Sequence, residues 1–369
     1  AASTGGQIMP PIMGAAAFLM AEYMNIPYAK VAVKAILPAV LYFTGIFIAV
    51  HLEAKKLGLK GMPKSEMVSW GELAKRAYLI IPLALLIFLV SSGSRTMQFS
   101  AAVSILAAIV VGFLNKEERL TFGKIVEALE AGAKGAITVA VACAMAGMIA
   151  GCITVTGLAS KLISGVIAIS SAIPNPTLSL LLALFLTMLC CIVLGMGVPT
   201  TANYCIMAST CAPILITLGI PKVAAHFFVF YFGIVADITP PVALAAYAGS
   251  AIAKSDPMKT GINATKLAIA AFIVPYIFAM NPSMLLMDQG VLAAIQVIIT
   301  SCLGIFGIAA ALEGYIVTRA PWWQRILLAA GGLCLIDPEF MTDVVGVAVI
   351  VVVIVLQIVL RKHSKPAAA

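Results

Sequence analysis

The sequence predicts an all-α polytopic membrane protein built as an inverted repeat, with a re-entrant hairpin and broken helices. Three observations carry that class. Apolar residues make up 62% of the 369 and charged residues only 10%, against roughly a quarter charged in an ordinary soluble domain. Apolar runs at 31–50, 97–114 and 344–360 reach the about 17–25 residues that a helix needs to cross a bilayer. A proline-centred motif near the start of the chain returns in its second half.

Taken in order, residues 1–11 (AASTGGQIMPP) lack the basic start and continuous apolar core of a signal peptide, and the chain reads as beginning mid-protein. Lys55, Lys56, Lys60, Lys64, Lys75 and Arg76 crowd the polar stretch 52–76, whereas the turn 93–95 carries Arg95 alone. Cationic loops stay on the cytoplasmic side, so span 31–51 runs inward, 77–92 outward and 96–114 inward. That order delivers Lys116, Arg119, Lys124 and Lys134 to the same side before 135–157 leaves it. Counting back from Arg361, Lys362 and Lys365, spans 343–360, about 325–337, 289–311 and 261–281 alternate, with Arg319, Arg325, Lys254 and Lys259 inside. The two counts meet at 159–173, which is short for a crossing and lies at the interface or continues a broken helix.

The formal net charge of +8 sits in these loops, where membrane orientation accounts for it and nucleic acid is not needed as a partner. All eight cysteines lie in or beside apolar helices without CxxC spacing, so they read as small packing residues. The expected divisions are 1–51 (end of the first repeat), 52–158 (basic loop and scaffold spans), 159–285 (second repeat) and 286–369 (a C-terminal helical extension).

At an offset of 230 residues, Q-I-M-P-P-I-M-G-A-A-A (7–17) falls on D-I-T-P-P-V-A-L-A-A-Y (237–247). Ile8, Pro10, Pro11, Ala15, Ala16, Ala21 and Pro27 match Ile238, Pro240, Pro241, Ala245, Ala246, Ala251 and Pro257 without a gap. With the topology above, the helix after Pro11 runs outward and that after Pro241 inward. Inverted repeats with broken helices are how secondary transporters are built.

Paired prolines remove two backbone donors and leave upstream carbonyls unpaired, which hydrocarbon tolerates only where another group uses them. The carbonyls of 5–11 and 236–241 are therefore candidate cation ligands, with a plain proline kink as the alternative. A second interruption, L-G-M-G-V-P-T-T-A-N (194–203), lies between apolar arms 177–193 and 202–218 and reads as the tip of a re-entrant hairpin. Gly195 and Gly197 permit the turn, Pro199 suits a first helical turn, and the helix start at Thr200, Thr201 and Asn203 offers N–H groups and a positive dipole to a carboxylate. The competing reading of this stretch is a small-residue packing interface. Asp237 is an intramembrane carboxylate at the second break and is presumed functional; its repeat mate is the neutral Gln7. Glu22, near a helix end, reads as structural, and His226 as interfacial or packed.

These residues carry a resemblance. S-T-G-G-Q-I-M-P-P-I-M-G (3–14), L-G-M-G-V-P-T-T-A-N-Y (194–204) and F-G-I-V-A-D-I-T-P-P-V-A-L (232–244) closely resemble the large membrane subunit of tripartite ATP-independent periplasmic (TRAP) transporters, particularly the TAXI type with fused membrane subunits. The resemblance spans residues 1 to about 285, and the last 85 or so look like the helical extension of some fused members.

It implies an elevator-type fold in a bacterial inner membrane, two hairpins each followed by a broken helix, and uptake of small organic acids delivered by a periplasmic solute-binding protein. It implies further that the first hairpin and a small membrane subunit, or a fused upstream segment, precede Ala1. Gly195, Met196, Gly197, Pro199, Thr200 and Thr201 match the second hairpin tip. Asp237, Thr239, Pro240 and Pro241 match the second break, and Gly5, Gly6, Gln7, Met9, Pro10 and Pro11 the first. The expected substrate site is Gly5, Gly6, Gln7, Gly195, Gly197, Pro199, Thr200, Thr201 and Asn203. The expected coupling-ion site is Met9, Pro10, Met196, Asp237, Thr239 and Pro240, taking Na+ or H+, with no cofactor and no other metal.

A membrane-embedded enzyme is disfavoured, because His51, His226 and His363 have no partner at metal-ligand spacing and no Walker A motif occurs. A passive channel is the second rival, and composition does not exclude it.

Overall fold

The computed structural model describes residues 1–10, 13–59, 61, 63, 69–92, 95–115, 119–287, 291–336 and 340–363. Pro11 and the loop cations Lys60, Lys64, Lys116 and Lys365 lie outside them. Among the described residues there are helices and turns but no strand. In order these are α1 (Ala2–Gly5), α2 (Gly14–Met24), α3 (Tyr28–Leu57), α4 (Trp70–Lys75), α5 (Ile81–Ser92), α6 (Met97–Leu114), α7 (Phe122–Val155), α8 (Leu158–Ser171) and α9 (Pro176–Gly195). There follow α10 (Thr200–Thr210), α11 (Ala212–Thr217), α12 (Lys222–Val235), α13 (Leu244–Ala253), α14 (Pro257–Leu267), α15 (Ile269–Met280), α16 (Val291–Glu313), α17 (Trp322–Cys334) and α18 (Phe340–His363).

By length and composition Tyr28–Leu57, Pro176–Gly195, Pro257–Met280, Ile295–Glu313 and Phe340–Val359 can each cross a membrane. The chain is a polytopic membrane protein. Cys143–Ile153 and Leu158–Ser171 form a pair bent by 66°, so 159–173 is the second limb of a broken helix, hinged where Gly157 takes φ +66°.

Several expected spans differ in extent. The 77–92 segment is a 3-10 turn at Ala77–Ile80 followed by the 12-residue α5, because Pro82 cannot donate to the turn before it. Helix α7 begins at Phe122 rather than near 135, extended by good helix formers and an i,i+4 pair between Lys134 and Glu130 at 2.5 Å. Arm 202–218 is split at Cys211 into α10 and α11, since Pro213 opens a new first turn. Span 325–337 is the 13-residue α17.

The repeat is visible in the backbone. Helices α1 and α12 end at Gly5 and Val235, and α2 and α13 begin at Gly14 and Leu244, each pair 230 residues apart. In both breaks the residue before the second helix has positive φ, Met13 at +49° and Ala243 at +28°. The same bond closes each loop: Met13 N–H to the Met9 carbonyl at 3.3 Å, Ala243 N–H to the Thr239 carbonyl at 3.2 Å. The copies diverge at Pro38, inside the continuous α3, whose counterpart Ala268 separates α14 from α15. Lys222 Nζ, at the start of α12, reaches the Met24 carbonyl at the end of α2 at 3.4 Å. The Tyr23 and His226 rings are 6.4 Å apart, so the start of α12 meets the end of α2.

Helix α12 is the hub. From Ala224 to Val235 every residue is buried, as expected of a helix apolar on all sides. Phe228 and Phe232 lie edge-on to Tyr276, and Tyr231 to Phe278, fastening α12 to α15. His226 is packed, its Nδ1 2.7 Å from the Tyr204 hydroxyl. Helices α16–α18 form a second cluster in which backbones nearly touch: a Cβ on Gly332 would stand 2.7 Å from the Gly304 carbonyl.

Candidate functional site

The hairpin tip is built from the end of α9, the turn 196–199 and the start of α10. Gly197 takes φ +73°, a conformation that strains any residue with a Cβ. Val198 N–H closes the turn onto the Gly195 carbonyl at 3.4 Å. Pro199 is the N-cap of α10 rather than its first helical residue, and provides no side-chain cap. The first N–H groups of α10, from Thr200 to Ala202, are thus left for another acceptor. The hydroxyls of Thr200 and Thr201 make no hydrogen bond among the described residues, and both side chains are half-buried. A helix start with unclaimed donors is a ready anion site.

The tip lies against the second break. A Cβ on Gly195 would fall 2.6 Å from Asn203 Nδ2 and 3.0 Å from the Ala236 Cβ, and one on Gly197 3.8 Å from Val242. Asn203 is fully buried and donates Nδ2–H to the Gly233 carbonyl at 3.0 Å. It sits behind the tip and joins α10 to α12, while its Oδ1 has no partner. An orphaned buried acceptor costs about 1–3 kcal/mol.

At the second break several backbone carbonyls are already used. Thr239 Oγ donates to the Val235 carbonyl at 2.7 Å, Thr265 to that of Ile238 at 2.9 Å, and the Tyr247 hydroxyl to that of Pro241 at 2.5 Å. The Pro240–Pro241 peptide is cis. Asp237 is half-buried, and its carboxylate has neither an ion pair nor a hydrogen bond among the described residues. Thr265 carried no sequence signal, because it acts on the Ile238 carbonyl from 27 residues away. Tyr247 and Gly233 lie in the quoted motifs, but their bonds to Pro241 and Asn203 are set by the fold.

The first break is seated on α3. A Cβ on Gly5 would enter the rings of Tyr42 and Phe43, and the Tyr42 hydroxyl lies 3.3 Å from that of Thr4. Gln7 folds back so that its Cβ and Cγ lie 3.7 Å from a Cβ built on Gly14. The Gly5 carbonyl accepts from both Ile8 and Met9 N–H at 3.0 Å and is not free, which narrows the candidate carbonyls of this stretch. Gly6 is exposed, while Gln7, Met9 and Pro10 are partly buried. The structure thus brings Gly195 and Gly197 of the tip against Ala236 and Val242 of the second break, with Asn203 tied to Gly233 just before it. At the first break, Gly5 packs on Tyr42 and Phe43 of α3, Gln7 on Gly14 of α2, and Met9 against the main core.

Among curated proteins none matches the chain. A family profile does match residues 1–291, described as the tripartite ATP-independent periplasmic transporter, DctM component. That match takes in both breaks and the hairpin and ends where α16 begins. The chain belongs to the DctM-component family of tripartite ATP-independent periplasmic transporters.

Proposed function

We propose that the chain is the permease part of an ion-coupled secondary transporter that imports small organic acids handed over by a periplasmic solute-binding protein, in a bacterial inner membrane. One observation carries the reading: the half-buried Asp237 carboxylate, without a partner among the described residues, lies on a proline break that packs against the hairpin turn leading into a helix start with unclaimed donors. A carboxylate within a membrane is stable only when a cation or proton neutralises it, and the N-terminus of α10 suits the carboxylate of a substrate. The coupling ion belongs between Asp237, the orphaned Oδ1 of Asn203 and the break carbonyls. Met196, Thr239, Met9 and Pro10 are the further candidates for that ion, and the substrate belongs at Thr200 and Thr201. The first break, with Gln7 in place of the aspartate, supplies a neutral counterpart.

The test is counterflow in liposomes carrying the complete transporter. Saturable exchange of a labelled carboxylic acid is expected, whereas conductance that does not saturate would mark a passive channel. A screen of carboxylic acids against the cognate binding protein identifies the substrate.

Thr200→Ala and Thr201→Ala should each raise the apparent KM for substrate roughly two- to tenfold, the equivalent of one lost hydrogen bond of about 0.5–1.5 kcal/mol. Expression should be unchanged, and Cys190→Ala, on the arm behind the tip, should be silent. If both threonine variants keep the wild-type KM, the α10 start is not the substrate site.

A further inference from the structure

Beyond residue 291 the family match stops, yet α16 is deeply engaged with the rest of the chain. Its last residue, Glu313, is 4% exposed. Its carboxylate sits 2.8 Å from Lys266 Nζ on α14 and 3.9 Å from Lys56 Nζ on α3. Lys56 in turn holds Glu53 at 2.9 Å, and Glu53 faces Glu313 across the cluster. Two carboxylates and two ammonium groups therefore balance in one cluster, with Glu313 buried at its centre and Glu53, Lys56 and Lys266 partly exposed around it, drawn from the last long helix of the first copy, the corresponding region of the second, and the extension.

Further along α3 and α16, these two helices are packed without slack together with α15. A Cβ on Gly45 of α3 would run into Ala270 of α15 and stand 2.9 Å from Ile305 of α16. The far side of α16 is taken by α17, where Arg325 donates Nε–H to the Ala311 carbonyl at 2.6 Å and an NH2 hydrogen to that of Leu312 at 3.1 Å, ending α16 where Glu313 points inward.

We propose that the Glu313 cluster is an electrostatic brace that fixes the C-terminal extension to the closing helices of both copies, so that α3, α14–α15 and α16–α18 move as one body during transport. The Glu313 carboxylate is buried while its lysine partners reach solvent; a buried carboxylate is tolerated only when its charge is matched, and removing a lysine leaves it short of that match in low dielectric. The brace rests on the transport reading for its consequence but not for its geometry.

The first arm of the test is a melting cycle on the full chain in detergent. Glu313→Gln and Lys266→Gln should each lower the melting temperature by several degrees, because each unbalances the remaining charges. The double variant should melt above either single one, because it restores the balance. Singles that melt like the wild type, or a double variant equal to the sum of the two losses, would overturn the brace.

The second arm places cysteines at Leu52 and Ala311, which share one buried cluster, in a cysteine-free background, and joins them with a short bifunctional thiol reagent. Transport should persist after full cross-linking. If the unlinked protein transports and the linked protein does not, α16 slides against α3 and the proposal is wrong. An unlinked protein that fails to transport counts against the transport reading and leaves the melting cycle to decide the brace.

Discussion

Gly195→Val is expected to abolish substrate exchange while the protein still reaches the membrane and stays monodisperse in detergent. Position 195 is where the hairpin presses on the second break: a single Cβ would already stand 2.6 Å from Asn203 Nδ2, 3.0 Å from the Ala236 Cβ and 3.1 Å from the Met207 Cε. The Met207 end can swing away. The other two cannot, because Asn203 is pinned to Gly233 and the Ala236 Cβ is part of the backbone turn that begins the break. Overpacking of this kind costs about 1–3 kcal/mol, and the structure can meet it only by moving the tip off the break. That motion shifts the start of α10, which carries Thr200 and Thr201, relative to the break that carries Asp237.

Gly197 provides the matched comparison. Its φ of +73° makes any side chain costly, by about 1–2 kcal/mol, but the space around it is open, with Val242 3.8 Å away. Gly197→Ala should therefore slow exchange without stopping it, and Gly195→Ala should be worse than Gly197→Ala although the substitution is the same. Exchange rates per purified molecule decide the order. Wild-type exchange by Gly195→Val would show that contact between tip and break is dispensable.

Much of this arrangement was legible in the residues, for identifiable reasons. Proline pairs and a Gly-x-Gly-x-Pro tip are rare in apolar helices and have only a few backbone solutions, so Pro240, Gly197 and Pro199 marked the breaks before any coordinates. The repeat was readable because the same backbone problem has the same answer twice, down to the Met13–Met9 and Ala243–Thr239 bonds. What stayed hidden depends on side chains meeting across the fold. Asn203 read as a substrate ligand because it follows two threonines at a helix start. The helix turns it inward, to Gly233 and away from solvent. The carbonyls of the second break read as open, yet Thr265 reaches that of Ile238 from 27 residues away and Tyr247 that of Pro241 from the next helix. Glu313 had no local signal at all, since its partners are 47 residues away on α14 and more than 250 away on α3.

Asp237→Asn should remove most of the dependence of transport on its driving ion while leaving the fold intact. The amide keeps the shape and the polar surface, and no described hydrogen bond or ion pair is lost with the charge, so the change acts on whatever neutralises the carboxylate. Without a partner, a charged aspartate deep in a spanning segment costs about 3 kcal/mol. In the working protein a sodium ion or a proton has to offset that cost. If the partner is sodium, losing one charge-assisted contact of about 1.5–3 kcal/mol raises the half-saturating sodium concentration by about 10- to 150-fold, and the response to a pH gradient is unchanged. If the partner is a proton, the amide mimics the protonated state at every pH, the pH-gradient response disappears and sodium dependence remains as it was. Gln7, the repeat mate, is already neutral, so Gln7→Glu tests the asymmetry from the other side: a second carboxylate should add ion dependence at the first break without restoring what Asp237→Asn removes. Uptake measured separately against sodium and against a pH gradient resolves the cases. Unchanged dependence on both ions in Asp237→Asn would make Asp237 a structural carboxylate and move the coupling site to the backbone carbonyls alone.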